Sequence, residues 1–577
     1  MTASRTLAIT AAGALAALGA GCGRGADFVG YACGQPPPLP MVASNPWNCG
    51  ERCFVDENLA GLPGGPAPLF ARPLDPAPGA QPAIVYPLAG AVFPLNIGGV
   101  DLNWRRGAGG AQMYFRLRII AVADPGRAYT LYLPCRPPPP IPSPPAAEEC
   151  VYPIGRALWT RIAIENPDAQ VDLLVAGSDP AGTTTAESAA LRIAFGPSSV
   201  EGGIYYWSSE GQGLFRALLG GGPGQAFLRP PLGGRFPCGS CHSVSHDGRL
   251  LAFSGEKNGY VGDGTLVVVP VAAPTAPVVG PAPGTGGDGA ATSLNRDGSL
   301  VVVSAGTTAD PGHLVVRDTA TGAEVARRDP ESAASGSGAR FFFPEWSPDG
   351  HAIAATQSSS APHPWSVTGG SIVVLPFDRA GGAGGAGGGG RIGDGRVVVP
   401  QDDAGGLFHY YPAWSPDGAW LAFVSAPLPG PSYGNPQSRL RLVSQAGGPI
   451  HELARATQSI GKSSTYPKFA PVMQAGCNVL YLTFNSKLDY GFLVKNSLLA
   501  AGGAPLPQLW MAAVDLRALP GGDPSRAPVW LPFQQPQQTN LLGAWTDRVL
   551  CAQQADCGAP TDATCDVARG ECVATPP

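Results

Sequence analysis

The sequence predicts an all-β chain, and three observations carry that expectation. Gly (80) and Pro (63) fill about a quarter of the 577 residues while charged residues are only 14%. This balance works against long helices, because Gly costs backbone entropy and Pro removes a helical donor. Short apolar runs alternate with turn residues along most of the chain, which is the pattern of strands bounded by tight connections. An Asp-Gly turn joining a short strand to a strongly apolar one recurs several times after residue 240, and such a pair is a strong hairpin signal. A chain of this length, 44% hydrophobic, is expected to divide into two or three packed units.

The elements follow in chain order. Residues 1–21 place Arg5 ahead of an apolar run from Leu7 to Leu18 and then small residues, the composition of an export signal. The ending Leu18-Gly19-Ala20-Gly21-Cys22 resembles a lipoprotein signal, which implies lipidation of Cys22. Export places the thirteen cysteines in an oxidising compartment, where they read as disulfides or cofactor ligands. The next apolar stretch, Leu266 to Val279, is broken by Pro270, Pro274 and Pro277 and is too short to span a bilayer. Membrane association is therefore expected only through the N-terminal lipid.

Residues 22–80, with Cys33, Cys49 and Cys53 among many Pro and Gly, read as a tether stapled by local disulfides. Residues 81–200 carry short strands such as Ala83-Ile84-Val85-Tyr86 and Val171-Asp172-Leu173-Leu174-Val175, spaced as in a small Ig-like β-sandwich. The Pro-rich insert between Cys135 and Cys150 reads as a loop closed by a bridge between them. Residues 548–577 hold Cys551, Cys557, Cys565 and Cys572 without a histidine, which suggests two disulfides and not a metal knuckle.

Residues 201–547 contain the internal repeat. Ser245-His246-Asp247-Gly248, Asn295-Arg296-Asp297-Gly298, Ser347-Pro348-Asp349-Gly350 and Ser415-Pro416-Asp417-Gly418 align, with a degenerate copy from Lys468 to Thr483. Each copy carries three or four short strands, which makes one blade of a β-propeller. Gly203 to Ser208 and Leu214 to Leu218 supply strands for a further blade, which the segment from Leu541 to Asp547 could close. The Trp-Ser-Pro-Asp-Gly form resembles the WD-like repeats of the TolB family of periplasmic propellers. That resemblance implies six blades, with seven as the alternative. Recurrence of the aspartates marks them as turn residues, and the glycine-rich run from Gly381 to Gly390 lacks the ending of a phosphate loop.

One constellation carries chemistry. Cys238-Gly239-Ser240-Cys241-His242 matches Cys-x-x-Cys-His, the attachment motif of c-type haem: two thiols reach the vinyl groups of one porphyrin and the imidazole ligates its iron. The reading is one covalent heme c on Cys238 and Cys241, with His242 as proximal ligand. The repeat alignment sets His242 level with Pro344 and Pro412, at the start of an innermost strand and one mouth of the channel. His409, aligned with Gly239, is the candidate sixth ligand. The alternative is a disulfide or dithiol pinning a blade entry, with His242 a rim residue, and a bound metal ion is a third.

The formal net charge of -5 and the absence of a basic run exclude nucleic-acid binding as a class. No Gly-x-Ser-x-Gly elbow occurs, so a hydrolase joined to a propeller is not expected. The expected function is that of a non-enzymatic, envelope-anchored scaffold binding an envelope protein or a glycan. Its alternative is a periplasmic electron-transfer or haem-sensing protein, with peroxidase-like chemistry open to a haem lacking a sixth ligand.

Overall fold

The computed structural model describes residues 56–58 and most of 65–575. Residues 1–55, 59–64, 76–78, 108–111, 140–144, 233–237, 257–263, 281–288, 307–310, 331–337, 360–366, 380–388, 459–460, 474–475, 499–505 and 576–577 lie outside the described residues. The export signal, Cys22, the tether cysteines and most of the glycine-rich run fall there.

Between Gly203 and Thr546 the chain forms six antiparallel sheets of three to five strands among the described residues. Their innermost strands are β1 (Cys238–Val244), β2 (Ala291–Leu294), β3 (Arg340–Trp346), β4 (Leu407–Trp414), β5 (Thr465–Phe469) and β6 (Asn540–Thr546). Each packs against the next, and β6 packs against β1, so the sheets close into a ring, a β-propeller. Closure is made by the two ends of the region. Strand β6 pairs with Gly203–Ser208, in a sheet whose other strands, Gly213–Leu218 and Gln225–Leu228, precede β1. Thr546 Oγ1 then donates to the Ser245 and His246 carbonyls at 3.0 Å, and the Asp547 carboxylate takes His246 at 3.2 Å and Arg296 at 3.7 Å.

The second strand of each sheet is apolar on both faces because it lies between two neighbouring sheets. In Leu300–Gly306, Val301 and Val303 join Leu266 and Val268 of the β1 sheet, while Leu300 and Val302 join Phe341 and Ile353 of the β3 sheet. The Asp-Gly pairs are turns. Asp349 Oδ1 accepts from Ser347 Oγ at 2.5 Å and from the His351 amide at 3.0 Å, and Gly350 takes φ +74°, a left-handed conformation that Gly adopts without a Cβ penalty. Asp247 and Asp417 make the same bonds.

The N-terminal unit is a seven-stranded and a three-stranded sheet sharing one core, where Trp104 meets Phe115 at 5.1 Å. It departs from the expected Ig-like arrangement in two ways. Two edge pairings are parallel, Asp56–Asn58 on 130–132 and Val92–Phe93 on 194–195. A helix, Arg156–Glu165, packs Trp159 on Phe93 at 5.1 Å and on Phe195 at 5.4 Å. Leu158, Trp159, Ile162 and Ala163 are spaced to form one helical face, which covers this core.

The unit is docked firmly on the ring. Lys495 Nζ meets Glu149 at 2.6 Å with both side chains under a tenth exposed, Tyr86 lies edge-on to Tyr490 at 4.7 Å, and the Tyr490 hydroxyl donates to Asp101 at 2.7 Å. Disulfides join Cys135 to Cys150, Cys551 to Cys565 and Cys557 to Cys572, the first closing the Pro-rich insert and the others stapling the tail. Among the described residues no helix is long and apolar enough to cross a membrane.

Candidate functional site

The inner strands line the channel of the ring, and a shared irregularity sets which side chains face it. Five of the six lose pairing at the same place: between Ser240 and Ser243, Phe342 and Glu345, Tyr410 and Ala413, Thr465 and Lys468, and at Leu542-Gly543. The first unpaired residue has positive φ in every case: Cys241 (45°), Phe343 (51°), Tyr411 (53°), Tyr466 (51°) and Leu542 (55°). Such a bulge bends the strand and re-aims its side chains. Strand β2 pairs without interruption.

The channel is therefore stacked in layers of six residues. Cys241, Ala291, Phe343, Tyr411, Tyr466 and Leu542 form one; His242, Thr292, Pro344, Pro412, Pro467 and Gly543 the next; then Ser243, Ser293, Glu345, Ala413, Lys468 and Ala544. Two cavities occupy the stack. One, of about 50 Å³, lies among the first two layers, and the other, of about 80 Å³, lies beyond them toward the Asp-Gly turns. Only His242, Glu345 and Lys468 line both, so these three form the waist of the channel.

At the waist Lys468 Nζ donates to Glu345, joining β5 to β3. His242 is buried, and its Nε2–H donates to the Tyr205 carbonyl at 3.0 Å. A carbonyl accepts only, so the neutral ring carries its proton on Nε2. Nδ1 is buried without a hydrogen-bond partner. Burial pulls the imidazole pKa down to about 4; the Tyr205 carbonyl opposes this and the Lys468 charge adds to it. Above the waist Tyr411 stacks on Tyr466 at 4.3 Å and donates to its hydroxyl at 3.2 Å, with Phe343 edge-on to Tyr411 at 4.4 Å. Burial pushes both phenols above their ordinary range.

These positions bear directly on the haem reading. Cys238 opens β1, opposite Glu256, and Cys241 is a buried thiol in the left-handed bulge, its carbonyl accepting from Thr292 Oγ1 at 2.7 Å. His242 lies inside the channel at its waist, not at a mouth, because the strand starts at the motif and not after it. Its Nε2 is engaged, its Nδ1 is enclosed, and the adjoining cavities of about 80 and 50 Å³ compare with roughly 300 Å³ or more for an ordinary small-molecule site. The described residues do not fit a porphyrin ligated by His242. His409 lines neither cavity; its Nδ1 meets Ser425 Oγ at 2.8 Å and its ring lies edge-on to Phe423 at 5.5 Å. The structure thus brings Cys241 and His242 to the channel but does not set His409 opposite them. Cys477 is disulfide-bonded.

Glu345 and Lys468 were missed in the sequence, although a signal for them existed. Both follow the proline of the repeat, where the β4 copy has Ala413, so opposite charges occupy equivalent positions in different blades.

No family model matches the chain, and no curated protein does. Among solved structures it is similar to TolB from Acinetobacter baumannii, at 12% identity and a TM-score of 0.37 over 65% of this chain and 79% of that one. It is also similar to a putative TolB from Agrobacterium tumefaciens, at 15% and 0.30 over 59% and 88%. A periplasmic gluconolactonase from Pseudomonas aeruginosa aligns at 13% and 0.30 over 60% and 99%.

Proposed function

We propose that the chain is an exported, envelope-tethered binding protein whose six-bladed propeller presents the mouth of its channel, on the side of the Asp-Gly turns, to a protein or glycan partner. The observation that carries this reading is the closure of the ring by β6, fastened by Thr546 and Asp547 to the first repeat. Closure makes a rigid annulus, and a preorganised surface binds without a large ordering cost. Three disulfides among the described residues support an oxidising compartment, and lipidated Cys22 would hold the molecule at the membrane.

The test is photocrosslinking in cells from a reactive side chain placed at Arg296, on the mouth, against one at exposed Val397, on an outer strand. A discrete adduct at Arg296 alone, lost when Cys22→Ser releases the chain from the envelope, is the expected result. Equal labelling at both positions would sink the reading.

A further inference from the structure

The cavity on the Asp-Gly side of the waist is small, closed at its inner end by an ion pair, and lined with an excess of positive charge. Lys468 and Arg296 border it against a single lining carboxylate, Glu345. Arg296 and His246 stand at the entrance, where Asp547, just after β6, pairs with both, and Arg296 is about half exposed. Lys468 stands at the far end with Glu345 as its only ion-pair partner among the described residues. An entering anion passes Arg296, which Asp547 pairs at 3.7 Å, before it reaches Lys468 and its partner Glu345.

We propose that this cavity is the seat of a carboxylate group, which takes the Lys468 ammonium in exchange for Glu345. The proposal rests on the reading of the ring as a binding module and names the chemistry that its mouth accepts. Size restricts the ligand. About 80 Å³ holds two or three waters at roughly 30 Å³ each, and so a carboxylate with one or two carbons, but not a sugar ring. The ligand is therefore a chain end or a short free acid, the rest of any longer molecule lying outside among Pro348, Pro416 and Pro471. The exchange is balanced in charge: Lys468 keeps one carboxylate partner, and Glu345, already partly exposed to the cavity, turns to water.

The same waist explains why the pair is poised and not locked. Glu345 and Lys468 join strands two blades apart and retain partial exposure. His242 closes the third side as a neutral group, which adds no competing charge near pH 7.

The experiment is a fluorescence titration of the purified chain, since Trp414 and Trp545 line the cavity. The probes are acetate, N-acetyl-glycyl-glycine and the C-terminal amide of that dipeptide. Saturable change with the free acid and none with the amide is expected, and acetate alone responding would assign the site to small acids and not to polypeptide ends. Glu345→Gln, which removes the competing carboxylate, should tighten binding severalfold; Lys468→Met should weaken it by about tenfold or more. Equal response to acid and amide, or Glu345→Gln weakening binding as Lys468→Met does, would overturn the proposal. The acid-against-amide comparison and Glu345→Gln decide the matter even where Lys468→Met does not fold. Failure here leaves the crosslinking result at Arg296 standing, and failure of crosslinking leaves this titration interpretable.

Discussion

Replacing His242 by Gln should flatten the pH dependence of stability between pH 7 and 4. The imidazole is neutral in the folded ring down to about pH 4, because desolvation, helped by the Lys468 charge, outweighs the opposing Tyr205 carbonyl, whereas an unfolded histidine takes its proton near pH 6.5. Above pH 6.5 neither state binds the proton and this group adds no slope. Between about 6.5 and 4 the unfolded chain binds a proton that the folded one refuses, so stability falls with pH by about 1.4 kcal/mol per unit. Below about 4 both states are protonated and the loss levels off. The accumulated difference is about 3 kcal/mol, and it is absent in His242→Gln, whose amide can still donate to the Tyr205 carbonyl. Carboxylates titrating in the same range affect both proteins alike, so the quantity to read is wild type minus variant. Thermal unfolding followed by tryptophan fluorescence, at half-unit steps from pH 7.5 to 3.5, measures it. Curves that run parallel would show that His242 is solvated or charged in the folded protein and would refute the buried-waist geometry.

Four further outcomes follow from the same structure. Lys495→Met should destabilise the chain by about 3–5 kcal/mol by stranding the buried Glu149 carboxylate, and adding Glu149→Leu should restore much of it, as thermal unfolding of the three proteins will show. Gly350→Ala should cost about 1–2 kcal/mol although a Cβ there meets nothing, because the expense is the left-handed backbone alone; an unchanged melting temperature would contradict that turn. A chain ending at residue 535 lacks β6 and should lose its protease-resistant core, since the first sheet then exposes Gly203–Ser208 as an open edge. Protein exported by a host with haem-attachment machinery should show neither a covalent mass gain of one haem nor a Soret band, with Cys238→Ala/Cys241→Ala as control; a gain of one haem would mean that His242 leaves the channel.

The ring was legible in the sequence because its signals are local and repeated. Asp-Gly turns with a serine two residues before them, as in Ser347-Pro348-Asp349-Gly350, state a backbone conformation outright, and the apolar second strands state burial on both faces. Closure through Leu541 to Asp547 was legible for the same reason, as an orphan strand beyond the last repeat. The helix at Arg156–Glu165 was not read, although its apolar spacing was present, because the surrounding strand pattern and the Gly-Pro composition favoured a sheet at every step. The parallel edge pairings were not legible at all, since two or three residues of backbone pairing leave no periodicity. The level of His242 among the prolines could be aligned, but its depth could not, because depth depends on how far the inner strand extends toward the N-terminus.

In a ring of repeats, the informative residues are those that break the repeat. Pro344, Pro412 and Pro467 show what the second bulge position requires when it serves the backbone alone, namely a residue whose amide need not pair. His242 occupies that slot with a side chain that finds a partner in the adjacent sheet, the Tyr205 carbonyl. One layer further, Ala413 and Ala544 show that the position tolerates a methyl group, so Glu345 and Lys468 are not there to fill space. Two opposite charges placed two blades apart add desolvation cost to a channel that smaller side chains would have left neutral. A pair of this kind is weak evidence for stability and stronger evidence that the channel receives something charged. The same comparison reaches into Cys-x-x-Cys-His. Its second cysteine holds a left-handed bulge and its histidine a proline slot, two duties that the repeat imposes on whatever residues stand there.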